Sequence, residues 1–176
     1  MLSTTFRDIP FLLINLEIKM KNFIPFLLLA FTGFTIQAQV ATVNESFENW
    51  PATNWSTYTL GAGNGWGQDF EGIGHTGTNS AHSYINNGDC DNWLVSPQVQ
   101  ISTNSYQLKF WELNNDEEYY VNRSVHISTG SGNPSDGDFV EVIAFTNIST
   151  VWTERTLDLS AYDGQNIYVA FRYEGT

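Results

Sequence analysis

Apolar and polar residues alternate in short runs through most of the chain after residue 40. The period of two is clear in residues 105–113, 120–128, 140–145, 152–159 and 167–173. Successive side chains of a β-strand point to opposite faces, so each run predicts a strand with one face toward a core. A sustained period of 3.6 residues, which would indicate helix, is missing from this part of the sequence. The pattern therefore predicts an all-β fold.

Turn residues separate these runs. Glycine, asparagine, aspartate and proline cluster at 61–65, 72–77, 86–88, 130–137 and 163–164. They favour turns because they tolerate or pre-set the backbone angles that turns require. A strand about every ten residues is typical of a β-sandwich or jelly roll. Because residues 58–77 are rich in glycine and weakly patterned, we expect a long surface excursion there.

The first 38 residues have a different character and predict a signal peptide. Basic residues beside Met20 precede an apolar run at 23–36, and the small Ala38 suits a cleavage site. We expect Met20 to be the true start, since another apolar stretch at 9–16 precedes those basic residues. The alternative is a retained membrane helix, but an apolar run of 14 residues is shorter than the ~20 needed to span a bilayer. The expected outcome is export, with no membrane insertion after cleavage.

The charge of the chain is strongly acidic. Seven Lys and Arg face 19 Asp and Glu, and without residues 1–38 four basic and 17 acidic residues remain, a net charge of −13. A field of this sign repels phosphate, which disfavours nucleic acid and anionic membrane surfaces as partners, and it attracts cations.

A single cysteine, Cys90, leaves the chain without an internal disulfide framework. The negative charges of its neighbours Asp89 and Asp91 disfavour the thiolate form of Cys90. This argues against a catalytic nucleophile.

Six segments together resemble a known domain family. In chain order they are Glu45-Ser-Phe-Glu48, Asn92-Trp-Leu-Val-Ser-Pro97, Leu108-Lys-Phe-Trp111, Ser124-Val-His-Ile-Ser-Thr129, Leu157-Asp-Leu-Ser-Ala-Tyr162 and Val169-Ala-Phe-Arg172. Their order and residue types are similar to those of the cleaved-adhesin domains of gingipain-type haemagglutinins. These domains are also called choice-of-anchor J domains and are MAM-like jelly rolls.

The resemblance implies one jelly-roll β-sandwich domain over residues 40–176, and a longer parent protein with other domains. Members of the family usually continue into one further strand after the segment that ends at Arg172. We therefore expect a domain that is truncated at its C-terminal end and lacks its last strand. Such a sandwich would show an unpaired ladder beside a neighbouring strand.

The resemblance also implies a structural calcium ion near the opening glutamate, Glu48. Calcium takes about six to eight oxygen ligands, many of them carboxylates. Asp89 and Asp91 are two residues apart on an extended segment and could present both carboxylates to one side, and Asp69 is a weaker candidate. Alternatively, these carboxylates are solvated surface charges or loop caps.

The sequence nominates no active site. Its three histidines lie in unrelated contexts, and no serine lies in a Gly-x-Ser-x-Gly elbow. We expect a non-catalytic, secreted or cell-surface domain that acts as an adhesin toward a host protein, a haem-protein or a glycan. The first alternative is a carbohydrate-binding accessory module of a secreted hydrolase or peptidase. The second is a MAM-like domain that links or stabilises a larger surface protein.

Three aromatic residues of the glycine-rich stretch are the predicted ligand-binding residues, namely Tyr58, Trp66 and Phe70. Aromatic rings on loops can stack on sugar faces or fill protein pockets while a rigid scaffold holds them. The alternative is that these rings fold over the end of the sandwich and belong to the core.

Overall fold

The computed structural model of the chain describes residues 10–15, 43–69, 72–83, 89–102, 106–114, 122–145 and 149–175. The strands are β1 (Pro10–Asn15), β2 (Asn44–Glu45), β3 (Ser56–Thr59), β4 (Trp66–Gln68), β5 (Ala81–Ser83), β6 (Cys90–Val95), β7 (Val99–Gln100), β8 (Gln107–Glu112), β9 (Asn122–Ser128), β10 (Val140–Ala144), β11 (Thr153–Asp158) and β12 (Asn166–Gly175). Two 3-10 helices of one turn each cover Pro134–Asp136 and Ser160–Tyr162.

The strands form two antiparallel sheets. Sheet A has the order β11-β8-β1-β5-β4, with β2 paired to β1. Sheet B has the order β10-β9-β12-β6-β3, with β7 paired to β12. Most neighbours within a sheet are distant in sequence, as the long crossovers of a jelly roll require. The predicted all-β sandwich is confirmed.

The alternation of the sequence decides which side of each strand faces the core. In β12, residues 167, 169, 171 and 173 are buried, whereas residues 168, 172 and 174 on the other face are only partly so. Phe110 of β8 and Phe171 of β12 meet between the sheets with ring centroids 5.1 Å apart. Burying one such side chain contributes about 1.5–3 kcal/mol. These inward faces therefore hold the two sheets together.

Strand β1 lies inside sheet A, between β8 and β5. Strand β8 pairs with β11 on one side and with β1 on the other, and β1 pairs with β5 on its second side. Both sheets nevertheless keep open edges among the described strands, since β11 and β4 in sheet A and β10 and β3 in sheet B each pair on one side only. The truncated C-terminal end stays a prediction. Strand β1 lies within the predicted signal peptide, whose removal stays a prediction.

The expected excursion at residues 58–77 is also partly wrong. Tyr58 and Thr59 lie in β3, which pairs with β6, and β4 pairs with β5. Both strands are short, and too few of their residues alternate for the pattern to stand out beside the neighbouring glycines.

A cluster of charged side chains lies between the two sheets. Glu112 of β8 and Arg123 of β9 are fully buried, and their side chains approach to 3.8 Å between the two sheets. The Nε of Arg155 donates a hydrogen bond of 2.6 Å to Glu112. One carboxylate therefore sits between two guanidinium groups and links sheet A to sheet B.

Candidate functional site

A cleft opens on the outer face of sheet B, at the end where β3 and β12 begin and β6 ends. Its volume is about 480 Å³, within the range of about 300–1,000 Å³ of small-molecule sites. Its central part is formed by Val95, Pro97 and Tyr168, one side by Asn54, Ser56 and Tyr58, and the other side by residues 131–133 of the β9–β10 loop. We call it the tyrosine cleft.

Strand geometry positions the two tyrosines of the cleft. Tyr58 lies opposite Trp93 in the β3–β6 register, and Tyr168 lies on the outward face of β12. Both rings pack against a small apolar cluster on this face, formed by Trp93, Val95 and Ala170. Both tyrosines are half-buried. One edge of each ring is therefore anchored while the rest stays accessible to a ligand.

The β9–β10 loop, which forms one side of the cleft, is braced by its own side chains. Ser131 donates its backbone N–H to Asp138 Oδ2 at 2.7 Å and its hydroxyl to Asp136 Oδ2 at 2.5 Å. Asn133 accepts the Ser135 N–H on its Oδ1 at 3.1 Å and so caps the short helix that follows. These bonds hold the loop in one conformation before any ligand arrives.

Gly132 brings this loop directly onto the Tyr168 ring. A Cβ atom at Gly132 would lie 2.9 Å from Cε1 of Tyr168, closer than carbon atoms approach without displacement. Glycine at this position therefore allows the loop to pack on the ring and to fix its orientation.

The tyrosine cleft is uncharged. Among the described residues, none of those that line it is acidic or basic. The four basic residues that follow the predicted leader all form ion pairs with carboxylates elsewhere: Lys109 with Glu154, Arg123 and Arg155 with Glu112, and Arg172 with Asp91. The cleft presents aromatic, hydroxyl and amide groups to a ligand.

A buried polar cluster lies on the same face of sheet B. His126 Nε2 is 2.8 Å from Ser124 Oγ and 3.8 Å from Glu141 Oε2. A serine–histidine–carboxylate relay requires the hydroxyl and the carboxylate on opposite ring nitrogens. Here both approach Nε2, and Ser124 is buried. This cluster therefore lacks the geometry of a nucleophilic relay.

His126 is buried although it lies on the outer face of β9, since the residue is only 6% exposed. Trp93 packs against the imidazole with ring centroids 4.8 Å apart, and Phe139 packs against Trp93. Burial, together with the nearby charge of Arg172, lowers the pKa of His126 to about 4. The imidazole is therefore neutral at pH 7.

Asp91 serves an ion pair in the structure. Its two carboxylate oxygens accept hydrogen bonds from Nε and Nη2 of Arg172 at 2.8 and 3.0 Å. Arg172 also lies over the Trp93 ring, 4.9 Å from its centroid, and pairs with Glu174. Asp91 is thus held by Arg172, whereas Asp89 lies exposed before β6. That both carboxylates face a calcium ion stays a prediction.

Glu48 and Asp69 both bind the loop at residues 72–80. Glu48 Oε1 accepts the backbone N–H groups of Thr78 and Asn79 at 2.9 and 3.0 Å. Asp69 Oδ2 accepts the N–H of Ile73 at 2.7 Å. Within the described ranges, no three Asp, Glu, His or Cys side chains come together to hold a metal. The described residues therefore do not gather the four predicted side chains into one cluster. Glu48 and Asp69 act as loop caps, and calcium binding stays a prediction.

A second aromatic group, on the outer face of sheet A, offers less to a ligand. The His75 ring stacks on Trp111 with centroids 3.7 Å apart and meets Trp152 edge-on at 5.7 Å. Burial lowers the pKa of His75. Because the imidazole already covers one indole face, the tyrosine cleft is the better candidate site.

Comparison with known proteins assigns the family. The family model described as Cleaved Adhesin Domain matches residues 40–176. The chain belongs to this family. Hemagglutinin A of Porphyromonas gingivalis is 30% identical, with 48% of this chain and 5% of that protein covered. This cleaved adhesin domain thus spans about one-twentieth of the length of the curated relative it matches.

Solved structures of the same family share the fold. The K1 cleaved adhesin domain of Lys-gingipain from Porphyromonas gingivalis superimposes with a TM-score of 0.58 at 28% identity, covering 73% of this chain and 85% of that one. The K3 domain of the same protein gives a TM-score of 0.59 at 25% identity, covering 77% and 90%. The resemblance seen in the sequence is confirmed. Within the described residues, no helix is long and apolar enough to cross a membrane.

The structure separates the three predicted ligand residues of this cleaved adhesin domain. Tyr58 lines the tyrosine cleft. Trp66 is 6% exposed and belongs to the main core, so its prediction as a ligand residue is wrong and the alternative of a core role applies. Phe70 lies outside the described residues.

Sequence reasoning missed Tyr168 and the loop at 131–133. Alternation in β12 did place Tyr168 on the face opposite Val169 and Phe171, but it could not show that a neighbouring loop converts this face into a cleft. The run of turn residues from Ser131 was a usable signal, since binding residues often lie on loops between strands.

Proposed function

We propose that this cleaved adhesin domain is a non-catalytic, secreted or cell-surface binding module that holds an extracellular glycan or protein in the tyrosine cleft. The observation that carries the proposal is a preformed, uncharged cleft with two anchored tyrosine rings. Membership of an adhesin family and similarity to Hemagglutinin A support binding as the role. The domain acts within a longer parent protein that supplies further domains.

The cleft is suited to binding because its parts are fixed before a ligand arrives. The tyrosine rings rest on the Trp93 cluster, and the β9–β10 loop is held by Asp136 and Asp138. Pre-organised groups lose little conformational entropy on association, which favours affinity. A tyrosine ring also gives a large contact area with few rotatable bonds.

A carbohydrate-binding accessory module of a secreted hydrolase or peptidase is the second candidate. The composition of the cleft supports it, since hydroxyl and amide side chains match the hydroxyls of sugars and aromatic rings match their apolar faces. The genomic context distinguishes the two roles: a catalytic domain in the same polypeptide supports the accessory role, whereas further adhesin domains support adhesion.

The test is a binding screen with paired variants. The secreted chain would be applied to a glycan array and to a panel of immobilised serum and matrix proteins. Tyr168→Ala and Tyr58→Ala should each weaken binding at least tenfold. The control is Tyr162→Ala, another half-buried tyrosine that packs on the main core and does not line the cleft. If all three variants bind like the wild type, the tyrosine cleft is not the binding site.

A further inference from the structure

We propose that the tyrosine cleft selects an uncharged oligosaccharide and discriminates against sialylated or sulfated ones. This inference rests on the proposed function, because it names the ligand class of the same cleft. The inference rests on two features: a neutral cleft lined by hydroxyl and amide groups, and four basic residues after the predicted leader that are all engaged in ion pairs.

Among the described residues that line the cleft, none is basic, so an anionic ligand meets no cation there. Arg172 makes a bidentate bond with Asp91 and a further pair with Glu174. Arg123 and Arg155 share the buried Glu112, and Lys109 pairs with Glu154. Recognition of carboxylate or sulfate usually relies on arginine or lysine. A chain with a net charge of −13 beyond its leader also repels such ligands at a distance.

Cationic and apolar ligands fit the cleft poorly as well. The described lining residues include no carboxylate to pair with a cation. The nearest acids of the loop, Asp136 and Asp138, already accept hydrogen bonds from Ser131. An apolar ligand would cover Asn54, Ser56 and other polar groups without replacing their hydrogen bonds to water, which costs free energy for each group left unpaired.

A neutral sugar satisfies both kinds of surface in the cleft. Its hydroxyls donate and accept hydrogen bonds, as do the side chains of serine, asparagine and tyrosine. Its C–H faces are apolar and pack on aromatic rings, and Tyr58 and Tyr168 supply two such rings at the same site. Gly132 holds the Tyr168 ring in place. The open cleft of about 480 Å³ suits a short oligosaccharide better than a single atom or ion.

Isothermal titration with matched sugars tests the charge selection. The probes are uncharged trisaccharides of galactose, glucose, mannose and N-acetylglucosamine, together with lactose and its sialylated counterpart 3′-sialyllactose. At least one uncharged sugar should bind, and adding sialic acid should weaken lactose-type binding at least tenfold. Tyr168→Ala should weaken binding at least tenfold and Ser56→Ala several-fold, while Tyr162→Ala should have no effect.

The other outcomes separate this inference from the proposed function. Equal or tighter binding of the sialylated sugar overturns the charge selection. If no uncharged sugar binds at millimolar concentration but an immobilised protein binds in a manner that Tyr168→Ala abolishes, the sugar inference fails and the proposed function stands. If neither sugar nor protein binding responds to Tyr168→Ala or Tyr58→Ala, both fail together. Because both tyrosines lie on the outer face, the variants should fold; circular dichroism and the melting temperature verify this.

Discussion

Replacing Glu112 by glutamine removes the negative charge from the ion cluster between the two sheets. Glu112 is fully buried on β8, its Oε2 lies 3.8 Å from Nη1 of Arg123 on β9, and its Oε1 accepts the hydrogen bond of Arg155 at 2.6 Å. Glutamine has nearly the same size and shape. The variant therefore leaves two guanidinium groups beside a neutral amide without opening a cavity.

The expected loss of stability follows from these distances. At an effective dielectric constant of about 20, two unit charges about 4 Å apart interact by about 4 kcal/mol. Breaking a buried ion pair by changing one partner costs about 3–5 kcal/mol. We therefore expect the free energy of unfolding to fall by about 4 kcal/mol. For a domain whose total stability is about 5–15 kcal/mol, this is a large fraction.

Urea unfolding followed by tryptophan fluorescence measures this loss. The control is Glu154→Gln on neighbouring strand β11, because Glu154 pairs with Lys109 at 3.7 Å while both side chains are more than 40% exposed. Exposed pairs contribute only about 0–1 kcal/mol. A loss for Glu112→Gln as small as that of the control would refute the argument that burial makes this cluster strong.

Three further changes test other parts of the structure. Trp66→Ala should lower the free energy of unfolding by about 3–5 kcal/mol in urea unfolding, because it empties a core position. Where the variant is folded, its affinity for a ligand of the tyrosine cleft should stay unchanged. The folded pKa of His126, about 4, lies below the unfolded value near 6.5. Since the unfolded chain then binds more protons, the free energy of unfolding should fall as pH drops from about 6.5 to about 4, by up to about 3 kcal/mol. Urea unfolding at several pH values measures this dependence, and His126→Gln should flatten it. If calcium binds near Glu48, millimolar calcium should raise the melting temperature of the wild type and not of Glu48→Ala; equal melting with calcium and with chelator would contradict the predicted ion.

Much of the fold could be predicted from residue order alone. Residues 105–113, 120–128, 140–145, 152–159 and 167–173 correspond to β8 to β12, with differences of a few residues at their ends. The short strands β3 and β4 were not predicted. They contain too few alternating residues for the pattern to stand out from the glycines around them.

The candidate site was much less predictable. Tyr58 was selected as an exposed loop residue, yet it lies in β3 and reaches the cleft through its register with Trp93. Trp66 was chosen by the same reasoning and proved to be core. The two residues carry the same sequence signal, an aromatic ring in a glycine-rich stretch. Only pairing and packing with distant strands distinguish them.

The sequence by itself determined strands β8 to β12 and their inward faces, the acidic charge and the family. Alternation, composition and local motifs depend on residues that are close together in the chain. Tertiary structure decided what happens on the outward faces. His126 is buried because Trp93, more than thirty residues earlier, packs on it, and Asp91 is held by Arg172 at a separation of 81 residues. The tyrosine cleft likewise combines β3, the end of β6, the β9–β10 loop and the start of β12. Such contacts depend on which distant segments meet, and the alternation within a single strand does not indicate which segments those are.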